Sequence, residues 1–476
     1  MSNLKSTNAG RFKRHTAGGR QAGMTRSTRR LLAVASGACA AAMSLSVPAA
    51  ASAAPVLGPF AGKTLTVLGF TSAGTNDPAA FNKYYSAVEA AFHKETGATL
   101  KGVTASPSEG ALNQALQELE VTHSGEDVYA IGSTLGPSIY YNTAFAHLTN
   151  KDWAEIGGLK QFYPDQLLDG GVNGSYAYVP FYNVPDAMVY NTKLFKAAGV
   201  SKPPRTWTQY IADAEKVNDP SKEVYGTAMD PGDSTDPWKT LWFFMKSYGP
   251  GDYVNARGTT AEIDSPKVQK AVEFWFDWYT KWHIVNPASL TWDASQMEAA
   301  FASGKVGEEV VQKSLDIPVY KSGSVGNSYA FAPMPCVPYG DSALPKGASC
   351  PGTFLSADGF AISKYGNVPL ALQMMKIILE PKFQVMYFNL TGGLPVTTYA
   401  GTLVKKADPA EVTPFVHALF HQQPTPFVSA WATIESAMAG VASKSAAEVA
   451  SKGDLPTSYI ASTLRAANTA VQEQLR

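Results

Sequence analysis

Enzyme signatures are the first thing missing from this 476-residue chain. It has no Gly-x-Ser-x-Gly elbow to expose a serine nucleophile, no Gly-x-x-x-x-Gly-Lys-Ser/Thr loop to cradle phosphate, and no His-Glu-x-x-His zinc motif. His417 and His421 are spaced to share a helix face, but no third metal ligand accompanies them. No cofactor or metal is implied. Glu308 and Glu309 are the one pair that could pass for glycosidase carboxylates. As neighbours on a strand they point to opposite faces and cannot serve one site. Charge is also scarce, at 16% of residues, and only three cysteines are present.

Acidic residues are absent from residues 1–53, which carry eight Lys and Arg and then an Ala-rich stretch ending in Ala51, Ser52 and Ala53. A basic start, a short apolar core and a small-residue end describe a signal peptide. The apolar stretch is interrupted by Gly37 and Pro48, which argues against a permanent span of about 20 apolar residues. Beyond this leader 31 Lys and Arg face 39 Asp and Glu, a formal charge of −8 for residues 54–476. That balance disfavours nucleic acid as a partner. Cys39 falls in the leader and lacks the apolar residue expected three positions before a lipid-modified cysteine. Cys336 and Cys350 remain, an even pair that an oxidising compartment would join.

The remaining chain, roughly 420 residues, is too long for one core, so two domains are expected. Residues 63–69, 98–103 and 127–131 read as buried strands separated by helices over 77–92 and 111–121. Asp77 before Pro78 is a natural N-cap. Alternating strand and helix is the mark of a parallel α/β sheet. Ligands sit at the carboxyl ends of such strands, which directs attention to Thr71, Ser72 and Asn76 and to Ser133 and Thr134. Short strands follow at 177–181 and 187–190, with helices at 193–199, 206–217, 264–282, 295–303 and 369–379. In the helix over 264–282, Phe274, Trp278 and Trp282 repeat every four residues, as do Trp275 and Tyr279, a spacing that marks packed core.

Several local motifs are more specific. Tyr178-Val-Pro-Phe181, Tyr190-Asn-Thr-Lys-Leu-Phe-Lys-Ala-Ala-Gly199 and Pro203-Pro-Arg-Thr-Trp-Thr208 follow one another. Ala300-Phe-Ala-Ser-Gly-Lys305 and Thr391-Gly-Gly-Leu-Pro-Val396 come later, and Glu126-Asp-Val-Tyr129 earlier. In this order the chain resembles the extracellular solute-binding proteins of sugar-type ABC importers, the maltose-binding-protein-like family. The resemblance implies an α/β, two-lobed periplasmic-binding-protein fold (type II), each lobe a mainly parallel sheet flanked by helices, joined by crossover hinge segments. It places one lobe at 60–184 plus 362–405 and the other at 185–361 plus 406–476. It further implies a monomer exported to the periplasm or the outer face of the cell envelope. There it would hold a small-molecule solute, a carbohydrate by family precedent, and hand it to membrane permease subunits.

Sugars present hydroxyls in fixed geometry and an apolar C–H face, so their sites combine aromatic surfaces with carboxylate, amide and hydroxyl partners. By the resemblance Tyr182, Asn183 and Asp186 enter the cleft at the first crossover, and Trp238, behind the N-cap pair Asp236-Pro237, approaches it. Trp242 and Trp292 are further aromatic candidates. At the second crossover the family often has Gly-Gly followed by an aromatic, whereas this chain reads Ser356-Ala-Asp-Gly359. Asp358 beside Gly359 therefore puts a carboxylate where an aromatic contact is usual. It favours hydroxyl-rich or cationic ligands over anionic ones. Other readings stay open: a polyamine, amino-sugar or polyol binder, and a secreted carbohydrate-active enzyme using the same aromatics and carboxylates.

Overall fold

The computed structural model describes residues 58–72, 77–104 and 109–475, with backbone alone for 109–113. The basic leader, with Cys39, and Asn76 lie outside the described residues. Strand Thr64–Leu68 is followed by helix Pro78–Thr96, whose first turn Asp77 caps by accepting the Ala80 N–H at 2.9 Å. Strand Thr99–Val103, helix Glu109–Thr122 and strand Val128–Gly132 complete the alternation. Both outer strands pair parallel with Thr64–Leu68. Asp127 does not extend the third strand. Its carboxylate instead accepts the Thr66 N–H and hydroxyl at 2.9 and 3.0 Å and the Asn367 N–H at 2.9 Å, fixing three segments together.

The sheet continues through Ala357–Ile362, Val179–Asn183 and Leu394–Pro395, and these pairings are all antiparallel. A second, four-stranded sheet has the order Tyr329–Ala332, Asp186–Asn191, Val306–Lys313, Tyr225–Thr227, with only the last pairing parallel. The sheets are thus mixed rather than mainly parallel. The reason is connectivity: Val179–Asn183 carries the chain out of the first sheet and Ala357–Ile362 brings it back beside it, so the two run in opposite directions. Because Ala357–Ile362 belongs to the first sheet, the second crossover precedes Ala357. The two sheets and their helices form two lobes.

Packing follows the aromatic spacing. Helix Pro266–Thr280 buries Phe274, Trp275 and Trp278, while Trp282 and Tyr279 stay partly exposed at its edge. Phe244 meets Trp207 at 4.7 Å and Phe274 at 5.0 Å, both edge to face. Such pairs contribute about 0.5–1.5 kcal/mol each beyond area burial. In the first lobe Phe70 stands at the centre, edge-on to Phe81, Phe181 and Phe360 at 5.4–6.0 Å. Thr206 caps its helix as the sequence indicates, accepting the Gln209 N–H. Cys336 and Cys350 are joined, with Cα atoms 5.5 Å apart. Among the described residues no helix is long and apolar enough to cross a membrane.

Strand Val306–Lys313 is buried along seven of its eight residues. Glu308 and Glu309 do face opposite environments: Glu308 lies near Asp213, and Glu309 near Glu298, Asp230 and Asp316. None of their four carboxyl oxygens has a hydrogen-bond partner. Burial, reinforced by those neighbouring carboxylates, pushes both carboxyls well above the usual range.

Two predictions follow from this packing. In the unfolded chain a Glu ionises near pH 4.3, but folded Glu309 keeps its proton to a higher pH, so the unfolded state binds fewer protons in between. Its contribution to stability therefore falls as pH rises from that point towards the raised folded value. Glu309→Gln should leave Tm little changed at pH 4 and raise it at pH 8. Parallel melting curves across this range check it, and a variant less stable at pH 8 contradicts it. Separately, Cys336→Ser with Cys350→Ser opens a cross-link of sequence separation 14. Denaturant unfolding should show a loss of about 3 kcal/mol, the loop-closure value for a ring of this size.

Candidate functional site

The crossovers and the strand ends meet at a cavity of about 270 Å³. Gly132, Ser133 and Thr134 enter it from the carboxyl end of Val128–Gly132, and Val184, Phe354, Ser356, Ala357 and Asp358 from the two crossovers. Thr235 to Lys239, apart from Pro237, together with Lys313 and Leu315, form the wall from the second lobe. Glu435, on helix Trp431–Lys452, closes one side. Both lobes therefore supply walls, and the crossovers supply the floor.

Ser133 is buried, and its hydroxyl is engaged with crossover backbone, donating to the Leu355 carbonyl at 3.2 Å and accepting the Ala357 N–H at 3.3 Å. It anchors the floor. Trp238 lines the cavity although almost wholly buried, held between Phe354 at 4.7 Å and Trp431 at 5.3 Å.

Charge at the second-lobe wall is organised by Asp236. The sequence marks it as an N-cap, but it has helical backbone angles and makes no capping bond. Asp233 takes that position, accepting the Thr235 and Asp236 N–H groups at 2.8 and 2.9 Å. Asp236 instead binds Lys239 through one oxygen and Lys313, at 2.8 Å, through the other. Burial alone would raise its carboxyl, but the two ammonium groups win and hold it far below the usual range. Lys313 reaches this point as the last residue of its strand, paired in register with Asp186. A bulge between Ala187 and Val189, and Val311 at a left-handed φ of 58°, redirect the strand just before Lys313. Asp186 lies behind the wall, its N–H donating to Thr353 Oγ1 and the same hydroxyl donating to its Oδ2, each at 3.1 Å. Burial pushes its carboxyl up to about 7 against the pull of Lys239 and Lys313.

A second cavity of about 270 Å³ adjoins the first, both bounded by Gly132 and Asp358. It lies wholly against the first lobe, lined by Gly69 to Thr71, Phe81, Ala130, Ile131, Phe181, Tyr182, Gly359, Phe360 and Tyr387. The Tyr182 hydroxyl lies beside the Asp358 carboxylate, and the Tyr182 and Tyr387 rings pack 4.7 Å apart. Burial raises the Asp358 carboxyl above its ordinary range.

The residues singled out by sequence divide accordingly. Ser133, Thr134 and Trp238 line the first cavity, Thr71, Tyr182 and Gly359 the second, and Asp358 both. Ser72 stands beside Thr71, half-buried and outside both walls. Four of the expected contacts need correction. Trp242 is fully buried in the second lobe, where its indole N–H donates to Asp252 Oδ2 at 3.1 Å; it shares a helix face with Trp238 but lies one turn further from the helix end that borders the cavity. Trp292 packs on the apolar cluster around Phe301 and Val306, away from both cavities. Asn183 is fully buried in its strand, donating from Nδ2 to the Pro395 carbonyl at 2.9 Å, and is a scaffold group, as Asp186 is. His417 and His421 stack on each other at 4.3 Å, and among the described residues no three His, Cys, Asp or Glu side chains are grouped for a metal. Lys239, Lys313 and Glu435 were not foreseen. Only Lys313 carried a usable signal, as the polar end of a strand running into the cleft.

The bacterial extracellular solute-binding protein model matches residues 73–384. A putative binding protein of Brucella abortus (strain 2308) is 23% identical over 280 residues, covering 58% of this chain and 63% of the relative, so the match spans less than two thirds of that protein. A Thermotoga lettingae ABC transporter solute-binding protein bound with α-D-tagatose superposes with a TM-score of 0.70 at 17% identity, covering 86% of this chain and all of the other. An Agrobacterium radiobacter K84 solute-binding protein in complex with ribitol gives 0.68 at 20% identity, covering 86% and 99%. With two lobes enclosing a cleft at their crossovers and a family match over most of its length, the chain belongs to the bacterial extracellular solute-binding proteins.

Proposed function

We propose that the protein captures a sugar or polyol in the cleft outside the cytoplasmic membrane and delivers it to the permease subunits of an ABC importer. The observation that carries this reading is the first cavity, which joins a Trp238 surface to Thr134, Ser356, Asp358, Glu435 and the Asp236 ion-pair cluster. An indole surface suits the C–H face of a sugar ring, and the surrounding donors and acceptors suit its hydroxyls. Neighbours of the same fold hold tagatose and ribitol, solutes rich in hydroxyls. On this reading the leader is removed on export and the protein acts as a monomer, without catalysis.

The lobes on this reading comprise 60–184 with the stretch from Ala357 to about 405, and 185–356 with 406–476. Helix Pro409–Leu419 supports the last assignment, since Phe415 packs 4.6 Å from Phe331 and Glu411 accepts the Tyr329 hydroxyl at 2.6 Å. Closure of the lobes about the paired crossovers would bring the Asp236 wall onto the ligand.

Thermal melting in the presence of monosaccharides, disaccharides and polyols tests the reading. A cognate solute at 100 times its Kd should add about 2.7 kcal/mol and raise Tm, with no chemical change in the solute. Trp238→Phe should weaken that solute about tenfold, or about 1.4 kcal/mol, by calorimetric titration. Oligosaccharide turnover abolished by one carboxylate substitution would identify a carbohydrate-active enzyme instead, and the absence of any stabilising sugar or polyol would reject the carbohydrate cargo.

A further inference from the structure

The second cavity has a composition that a ring of sugar hydroxyls does not explain. Six aromatic side chains, Phe70, Phe81, Phe181, Tyr182, Phe360 and Tyr387, line it, and among the described residues Asp358 is the only charged one on its wall. Among the described residues Thr71, Tyr182 and Tyr387 are the only other side chains there with polar atoms. Among the described residues none of the ion pairs includes Asp358. The lysines nearest to it, Lys239 and Lys313, stand on the other lobe's wall and both bind Asp236.

We infer that this cavity is a second compartment of the binding site, taking an amine-bearing part of the solute whose protonated nitrogen pairs with Asp358. The inference rests on the cleft being the solute site, and it narrows the cargo to a cationic solute such as an amino sugar. A carboxylate lodged against aromatic walls is poorly hydrated, and a cation placed beside it restores the lost interaction. Burial is the leading influence on its carboxyl, which is the signature of such a deficit. Aromatic walls tolerate the carbon skeleton around an ammonium and attract the cation itself, but they give hydroxyls few partners. Asp358 borders both compartments, so one solute can place hydroxyls against Thr134 and Ser356 and its nitrogen at the junction.

Calorimetric titration of the purified protein at pH 7 with matched pairs tests this: glucosamine against glucose, galactosamine against galactose, and benzylamine against benzyl alcohol. The amine should bind about tenfold tighter or more than its neutral partner. In Asp358→Asn that ratio should fall to about one. Tyr182→Phe keeps the carboxylate and the aromatic wall and removes only the polar hydroxyl beside it, so the ratio should hold or grow, and this variant serves if Asp358→Asn does not fold. Equal affinities within every pair, a preference that survives Asp358→Asn, or a ratio that falls in Tyr182→Phe would overturn the inference. A sugar that binds with no preference for its amine form leaves the solute-binding reading standing and removes the cationic compartment. Benzylamine bound over benzyl alcohol with no sugar bound keeps the compartment and removes the carbohydrate reading, and silence from all six probes overturns both.

Discussion

The close pairing of Ala357–Ile362 with Val179–Asn183 is the contact on which the cleft depends. At Gly359 a side chain has nowhere to go: a β-carbon would sit 2.2 Å from the Val179 carbonyl oxygen and 2.7 Å from the Tyr178 ring. The register shifts between Asp358 and Gly359, so the strand irregularity falls at the residue that enters both cavities. Glycine lets the two crossover strands approach, while Asp358 stays paired with Gly132 on one side and Tyr182 on the other. The departure from the family pattern at this position is therefore a local backbone solution.

The second lobe meets this floor with charges that are already satisfied among themselves. Two lysines and one aspartate carry a net positive charge, with Asp186 close behind at a carboxyl poised near neutrality. The ammonium groups of Lys239 and Lys313 are fixed by Asp236 rather than left to wave in solvent, which limits the side-chain entropy lost when a ligand arrives. This wall is preorganised by the N-terminal end of helix Pro237–Tyr248 and by a strand redirected at Val311, two features separated by more than seventy residues of chain.

That separation explains what was legible in the sequence and what was not. The alternation of strand and helix, the Asp77 and Thr206 caps and the aromatic core helix depend on nearby residues, and the structure shows each of them. Strand direction at the crossovers depends on where the chain returns, and no local period records it, so the expectation of mainly parallel sheets did not hold. Site residues followed the same division. Thr134 and Asp358 could be found because strand ends and a broken motif mark them locally. Trp242 could not be separated from Trp238 by residue type, since both are indoles on one helix and only the surrounding packing decides which reaches the cavity. Lys239 reads as an ordinary surface lysine, and even Lys313, at the polar end of its strand, shows no partner until the fold places a shared aspartate between them.

The two cavities impose different demands on one ligand, and the division between them follows the lobes. The first cavity has walls from both lobes, so contacts made there are sensitive to how the lobes approach. The second is built on the first lobe alone, from residues locked by edge-to-face and tilted aromatic contacts around Phe70 and Phe181. A solute held first in the rigid compartment would already have its nitrogen at Asp358 and its hydroxyls directed at the opposite wall. Binding energy gained there does not depend on closure, whereas energy gained against Asp236, Lys239 and Lys313 does. Only the latter shifts the balance between open and closed lobes, because a ligand moves a conformational equilibrium by its difference in affinity for the two states and by nothing else. Discrimination and closure are in this way assigned to different residues of one site.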